Sequence, residues 1–175
     1  MARSTPATSL RKRAVARARW AAVRLFAMDV DGVLTDGTVL IAADGGEAKS
    51  FSILDGHGLK RLARAGVLVA WISGRESGAT TRRARELGIP HVVQGRTDKL
   101  VILRELAAQL ALDASQCAYM GDDDIDVGAI EWAGIGIAPA GAMPSALAAA
   151  DYVPARQAGH GAVREICELI LSARV

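Results

Sequence analysis

The chain has 175 residues, 51% of them hydrophobic and 23% charged, with a formal net charge of +2. The composition is that of an ordinary globular protein, and the length predicts one domain with a single substantial core. No apolar run reaches the length of a membrane span, and the N-terminus lacks the apolar centre of a secretory signal, so a membrane role is not expected.

The two cysteines, Cys117 and Cys167, lie far apart without metal-binding spacing; they read as buried reduced thiols, which points to the cytoplasm. The net charge hides an asymmetry. Residues 1–20 carry Arg3, Arg11, Lys12, Arg13, Arg17 and Arg19 and no acid, leaving fifteen basic against nineteen acidic residues elsewhere. Residues 1–21 therefore read as a basic extension, flexible or helical, on a mildly acidic domain spanning 22–175. Such a tail suits nucleic acid or a membrane surface; a solvated amphipathic extension that packs little is the plainer expectation.

In chain order, the first predicted strand is "VRLFAMDV" (23–30). "GTVLIAADGGEAKSFSI" (37–53) reads as a β-hairpin around the turn "ADGG". Strands are then predicted at 67–73, 91–93, 117–121 and 134–138, with helical periodicity at 57–65, 77–87, 98–111, 125–132, 144–150 and 161–172. The strands are continuously apolar, which implies burial on both faces. Strand–helix alternation implies an α/β fold, a doubly wound, parallel, Rossmann-like sheet with the hairpin inserted after its first strand.

Ligands of such a sheet bind outside the carboxyl ends of its strands. The first strand ends in "DVDG", the second in "SGR" and the fourth in "GDDDID", while "QGRTDK" precedes the helix at 98–111. Asp29 and Asp31 repel one another unless something neutralises them. Carboxylates from two strand ends form an oxygen-rich cage suited to Mg²⁺, which keeps few carboxylates and adds phosphate oxygens. The "SGR" turn offers a hydroxyl and free N–H groups to a phosphate, and Lys99 adds a point charge. Asp29 beside a bound phosphoryl group, with Asp31 two residues on, suits covalent phosphoryl transfer. In that scheme Asp29 attacks in line, and Asp31 protonates the departing oxygen and then activates water.

The segments "DVDGVLTDG", "GEAKSFSILDGHGLK", "WISGRES", "QGRTDKL", "AYMGDDDID" and "ADYVPARQAGHGAVREICELIL" resemble the haloacid dehalogenase-like hydrolase superfamily, and within it the 3-deoxy-D-manno-octulosonate 8-phosphate phosphatase family. The resemblance covers residues 22–172. It implies Asp29 as nucleophile and metal ligand, Asp31 as general acid/base and carbonyl ligand, and Asp122 as third ligand. Asp123 is implied as a metal-adjacent carboxylate and Asp126 as an orienter of the loop. Ser73, Gly74 and Lys99 would bind the phosphate, with Arg75 near it or near the sugar acid. A homotetramer and a role in lipopolysaccharide synthesis are implied as well. Spacing adds its own constraint: about 40 positions separate Asp31 from Ser73, and 26 separate Ser73 from Lys99. Neither interval holds a cap domain of at least about 50 residues, so a capless site closed by self-association is expected.

Three departures from the family pattern bear on the sugar acid rather than on phosphoryl transfer. Ser52 and Leu54 stand where Asn and Arg are usual, Gly128 where Pro is usual, and His160 where a cation is expected. A related nine-carbon 2-keto sugar acid 9-phosphate is thus the alternative substrate. From other classes, a phospho-acceptor domain would lack the proton relay that Asp31 supplies. A nucleic-acid module would show a basic, aromatic surface, whereas this body is acidic and only 4% aromatic. Asp36 reads as a turn former, Asp124 as exposed, and His57 and His91 as structural.

Overall fold

The computed structural model of the protein describes residues 14–175. The basic side chains at positions 3 and 11–13, and any partner they serve, lie outside the described residues. Five strands, β1 (Leu25–Met28), β4 (Leu68–Ile72), β5 (His91–Val93), β6 (Cys117–Met120) and β7 (Ile135–Ile137), form one sheet in the order β5-β4-β1-β6-β7. All four pairings are parallel, with Leu25 opposite both Leu68 and Cys117. β2 (Leu40–Ile41) and β3 (Glu47–Ala48) pair antiparallel as a separate hairpin after β1.

Every residue of β1 is buried, and its side chains alternate between two cores. Phe26 and Met28 face one core together with Leu59 and Leu62 of α2 (Ile53–Arg64) and Val163 and Ile166 of α7 (Ala162–Ala173). Leu25 and Ala27 face the other, with Ile102 and Leu103 of α4 (Lys99–Gln109) and Ile130 of α5 (Val127–Trp132). Each large apolar side chain removed from water contributes about 1.5–3 kcal/mol. α3 (Gly78–Leu87) and α6 (Pro144–Ala149) complete the layers. Among the described residues, no helix is long and apolar enough to cross a membrane.

Two elements differ from expectation. The helix anticipated at 57–65 begins at Ile53, where the Ser52 hydroxyl accepts from the Asp55 N–H. "DGHG" looks like turn chemistry, but its glycines serve packing. A Cβ on Gly56 would lie 2.5 Å from the Arg83 guanidinium, and one on Gly58 would lie 2.9 Å from Arg164 Cδ and 3.1 Å from Cys167 Sγ. Asp55, carried inward by the same turn, accepts from the backbone N–H groups of Gly161 (3.2 Å) and Arg164 (2.7 Å), closing the start of α7.

The second difference lies in the extension. α1 (Arg17–Ala22) crosses the expected boundary at residue 22, and its Trp20 is buried edge-on against Tyr152, 5.5 Å between ring centres. Trp20 and the half-buried Val15 pack against the core, while Arg17 and Arg19 remain exposed on the helix.

Candidate active site

β1 delivers its carboxylates by continuing the ladder one residue past the strand. The Asp29 N–H donates to Met120 O of β6 at 2.9 Å, which fixes the backbone beneath the side chain. The chain then turns, with the N–H groups of Leu34 and Thr35 converging on Val30 O. Gly32 sits in this turn at φ +84°, and a Cβ there would lie 2.0 Å from Asp122 Oδ2. Only glycine lets the Asp122 carboxylate approach the β1 turn so closely.

Oxygens of Asp29, Asp122 and Asp126 lie within 4.8 Å of one another. Among the described residues, one cation opposes them at close range. Lys99, in the first turn of α4, is fully buried and reaches Asp29 Oδ2 at 2.9 Å, Asp126 Oδ1 at 3.8 Å and Ile72 O at 2.5 Å. Three ionised carboxylates exceed one ammonium by two charges. Burial, opposed chiefly by Lys99, raises the Asp29 carboxyl to about 6. Burial, with the charges of Asp29, Asp126 and Asp123, raises Asp122 to about 7. Asp122 Oδ1 is buried and meets no donor among the described residues. A buried acceptor left without a partner, beside an excess of two negative charges, is the signature expected of a divalent-cation site.

Asp126 does other work. Its Oδ1 accepts from the Tyr119 hydroxyl at 2.6 Å, and its Oδ2 accepts from the N–H groups of Asp122 (3.1 Å) and Asp123 (3.2 Å). It therefore shapes the loop that carries Asp122. A Cβ on Gly121 would lie 2.3 Å from Asp126, so this glycine too is required by a carboxylate's approach. Asp123 is exposed and accepts from Asp124 N–H at 2.7 Å, starting the 3-10 turn at Asp124–Asp126. Asp124 is exposed and accepts from the Ser145 hydroxyl.

On the hairpin side, both oxygens of Asp31 meet Lys49 Nζ, at 2.7 and 2.9 Å, and the Lys49 side chain is wholly buried. Arg75 Nε lies 3.8 Å from Asp31 Oδ2, and its Nη2 lies 2.9 Å from Glu47 Oε2. Ser77 donates to Glu47 Oε1, and this bond and the Arg75 pair hold the Glu47 carboxyl below its usual range. Ser73 is buried, its hydroxyl bonded to the backbone of Arg75. A Cβ on Gly74 would lie 3.3 Å from Thr97 Cγ2, so the turn is closely packed.

The structure thus gathers Asp29, Asp31, Ser73, Gly74, Arg75, Asp122 and Asp123 around one small cavity of about 180 Å³, with Lys99 behind it. A larger cavity of about 730 Å³ opens beside Asp122 and is lined by Asp36, Met143 and the exposed His160 among others. Asp36 forms the anticipated turn, accepting from Thr38 N–H at 2.9 Å. His57 is exposed and His91 is half-buried at the start of β5. Sequence reasoning missed Lys49, Glu47 and Tyr119. For the first two a signal existed: "EAK" puts acid and base on one face of a strand at the two-residue period.

A parallel α/β sheet whose first and fourth strand tips bring these aspartates to a buried lysine defines the class of haloacid dehalogenase-like hydrolases, and residues 88–166 match the family model described as haloacid dehalogenase-like hydrolase. The chain is 44% identical over 156 residues to the 3-deoxy-D-manno-octulosonate 8-phosphate phosphatase KdsC of Yersinia pestis, covering 89% of this chain and 83% of that protein. It is 40% identical over 152 residues to KdsC of Escherichia coli K12, covering 87% and 81%. A crystal structure of 3-deoxy-D-manno-octulosonate 8-phosphate phosphatase from Moraxella catarrhalis, in complex with magnesium ion, phosphate ion and KDO, superposes with a TM-score of 0.89 at 44% identity, over 90% of this chain and 91% of that one. The chain belongs to the 3-deoxy-D-manno-octulosonate 8-phosphate phosphatase family.

Proposed function

We propose that this protein is a Mg²⁺-dependent phosphatase that hydrolyses 3-deoxy-D-manno-octulosonate 8-phosphate to the free sugar acid and phosphate. The observation that carries the reading is the meeting of Asp29, Lys99 and the partnerless Asp122 oxygen at the carboxyl end of the sheet, in a chain similar over most of its length to a phosphatase crystallised with magnesium, phosphate and KDO. Asp29, Asp122 and the Asp31 carbonyl would hold Mg²⁺, which supplies positive charge against the phosphoryl oxygens.

The chain's own groups do the rest. Ser73, the Gly74 N–H and Lys99 hold the phosphoryl group against Asp29, with Arg75 at the rim. Asp29 attacks phosphorus as the bond to the sugar oxygen breaks, and Asp31 gives that oxygen its proton. Asp31 then takes a proton from the water that attacks the aspartyl-phosphate, which frees Asp29 and releases inorganic phosphate. Asp126 and Asp123 keep the Asp122 loop in place. The sugar acid occupies the larger cavity beside Asp122.

The same reading includes a homo-oligomer, the tetramer that the resemblance implies. Exposed Leu40 and Ile41 on the hairpin, and Ile53 and Leu54 after it, support it, since these apolar side chains have no cover among the described residues of the single chain. The two buried free thiols fit a reducing compartment, the cytoplasm. Phosphate release measured over eight- and nine-carbon keto-acid phosphates, with and without Mg²⁺, tests the function. Preference for the eight-carbon substrate and loss of turnover with chelator are expected. Preference for hexose phosphates or nucleotides, or full activity in chelator, overturns it. Light scattering of the eluting peak reads the oligomer.

A further inference from the structure

We infer that Lys49 is a positioning residue for Asp31, so that the hairpin sets the geometry of proton transfer to the departing sugar oxygen. The inference rests on the reading of Asp31 as acid/base given above. The ammonium of Lys49 contacts both carboxylate oxygens, at 2.7 and 2.9 Å, from a fully buried side chain. Its remaining polar neighbours are Thr80 Oγ1 at 3.5 Å and Glu47 Oε1 at 3.9 Å. Oδ2 accepts a hydrogen bond from this ammonium and Oδ1 lies in ion-pair contact with it, so the buried cation fixes the direction in which the carboxylate points.

The alternative partner for Asp31 is Arg75, 3.8 Å away on a side chain more than half exposed and already paired with Glu47. Without Lys49 the carboxylate would swing toward Arg75, away from its clamped position. A displacement of about 1 Å at a proton-transferring group lowers a rate by about 10²-fold. Lys49 follows β3 of the hairpin rather than a strand of the main sheet, and the carboxylate it reaches within 3 Å is that of Asp31.

The two half-reactions expose this role. kcat/KM reports events up to departure of the leaving group. A sugar alkoxide needs a proton at that point, whereas p-nitrophenolate departs without one. Lys49→Met is compared with Asp31→Asn in the full-length protein with Mg²⁺, on 3-deoxy-D-manno-octulosonate 8-phosphate and p-nitrophenyl phosphate. The expected result is that the ratio of the two kcat/KM values falls at least tenfold in both variants and recovers in part in Lys49→Arg. Lys49→Met added to Asp31→Asn should lower it no further. A parallel fall on both substrates marks a merely structural lysine and overturns the inference, as does an unchanged ratio. A wild-type ratio in Asp31→Asn instead overturns the assignment of Asp31 itself. Should Lys49→Met not fold, Lys49→Gln carries the same comparison.

Discussion

The helix layer on the sheet and the hairpin each set a buried lysine against one aspartate of the same motif, and they hold it by different means. Lys99 rises from α4, a helix seated on the sheet through Ile102 and Leu103, and faces Asp29 with its ammonium also bonded to a strand carbonyl. Lys49 sits just past a two-residue strand, β3, in which Glu47 is half-buried and Ala48 exposed, and it faces Asp31. The sheet site is held by apolar burial on two faces. The hairpin is held by Lys49, by Glu47 bonds to Ser77 and Arg75, and by Phe51 lying parallel to Trp71 at 6.3 Å. The counter-ion of Asp29 thus shares the stability of the whole core, while that of Asp31 depends on local docking, where opening costs least.

The largest test of this contrast is Asp29→Asn, which should lower turnover by about 10⁴-fold or more while the fold persists, because the proposed mechanism makes Asp29 the covalent nucleophile, which has no substitute. Lys99→Met should follow, with activity falling by about 10²–10³-fold as a positioned charge is lost from a dry site and thermal stability falling in the metal-free protein, since Asp29 then lies buried without its cation. Little change in melting temperature would mean that the lysine is less embedded than its contacts imply.

Metal removal comes next. The Asp29 and Asp122 carboxyls are raised from 3.8 to about 6 and about 7. Their stabilising contribution is therefore present below pH 4 and lost as pH rises through those values. These two groups should make the metal-free protein melt lower at pH 7.5 than at pH 5. The increment in melting temperature on adding Mg²⁺ should grow over that interval, with proton release on binding. An increment independent of pH would argue against both carboxylates lying at the ion. The smallest effect belongs to Glu47→Gln on the hairpin, which frees Arg75 and should change kcat/KM by no more than about tenfold, as expected for a partly exposed pair.

Much of the architecture was legible without coordinates. Strands at 67–73, 91–93, 117–121 and 134–138 and the helices between them fall where continuous apolar runs and helical periodicity place them, since both patterns follow from burial along a local segment. The start of α2 was not legible. Asp55, Gly56 and Gly58 carry turn chemistry, and only the approach of Arg83, Arg164 and Cys167 explains glycines inside a helix. Trp20 was likewise unreadable, because a lone aromatic in a basic stretch gives no sign of Tyr152 across the fold.

By itself the sequence determined the α/β alternation, the placing of Asp29, Asp31, Ser73 and Asp122 at strand ends, and the absence of room for a cap, because each depends on local pattern or spacing. Tertiary structure alone decided that Lys99 faces Asp29, that Tyr119 and Asp126 shape the Asp122 loop, and that Lys49 clamps Asp31. Those are pairings between side chains far apart in the chain. Whether two charges meet depends on sheet order and helix packing, which no short stretch of residues encodes.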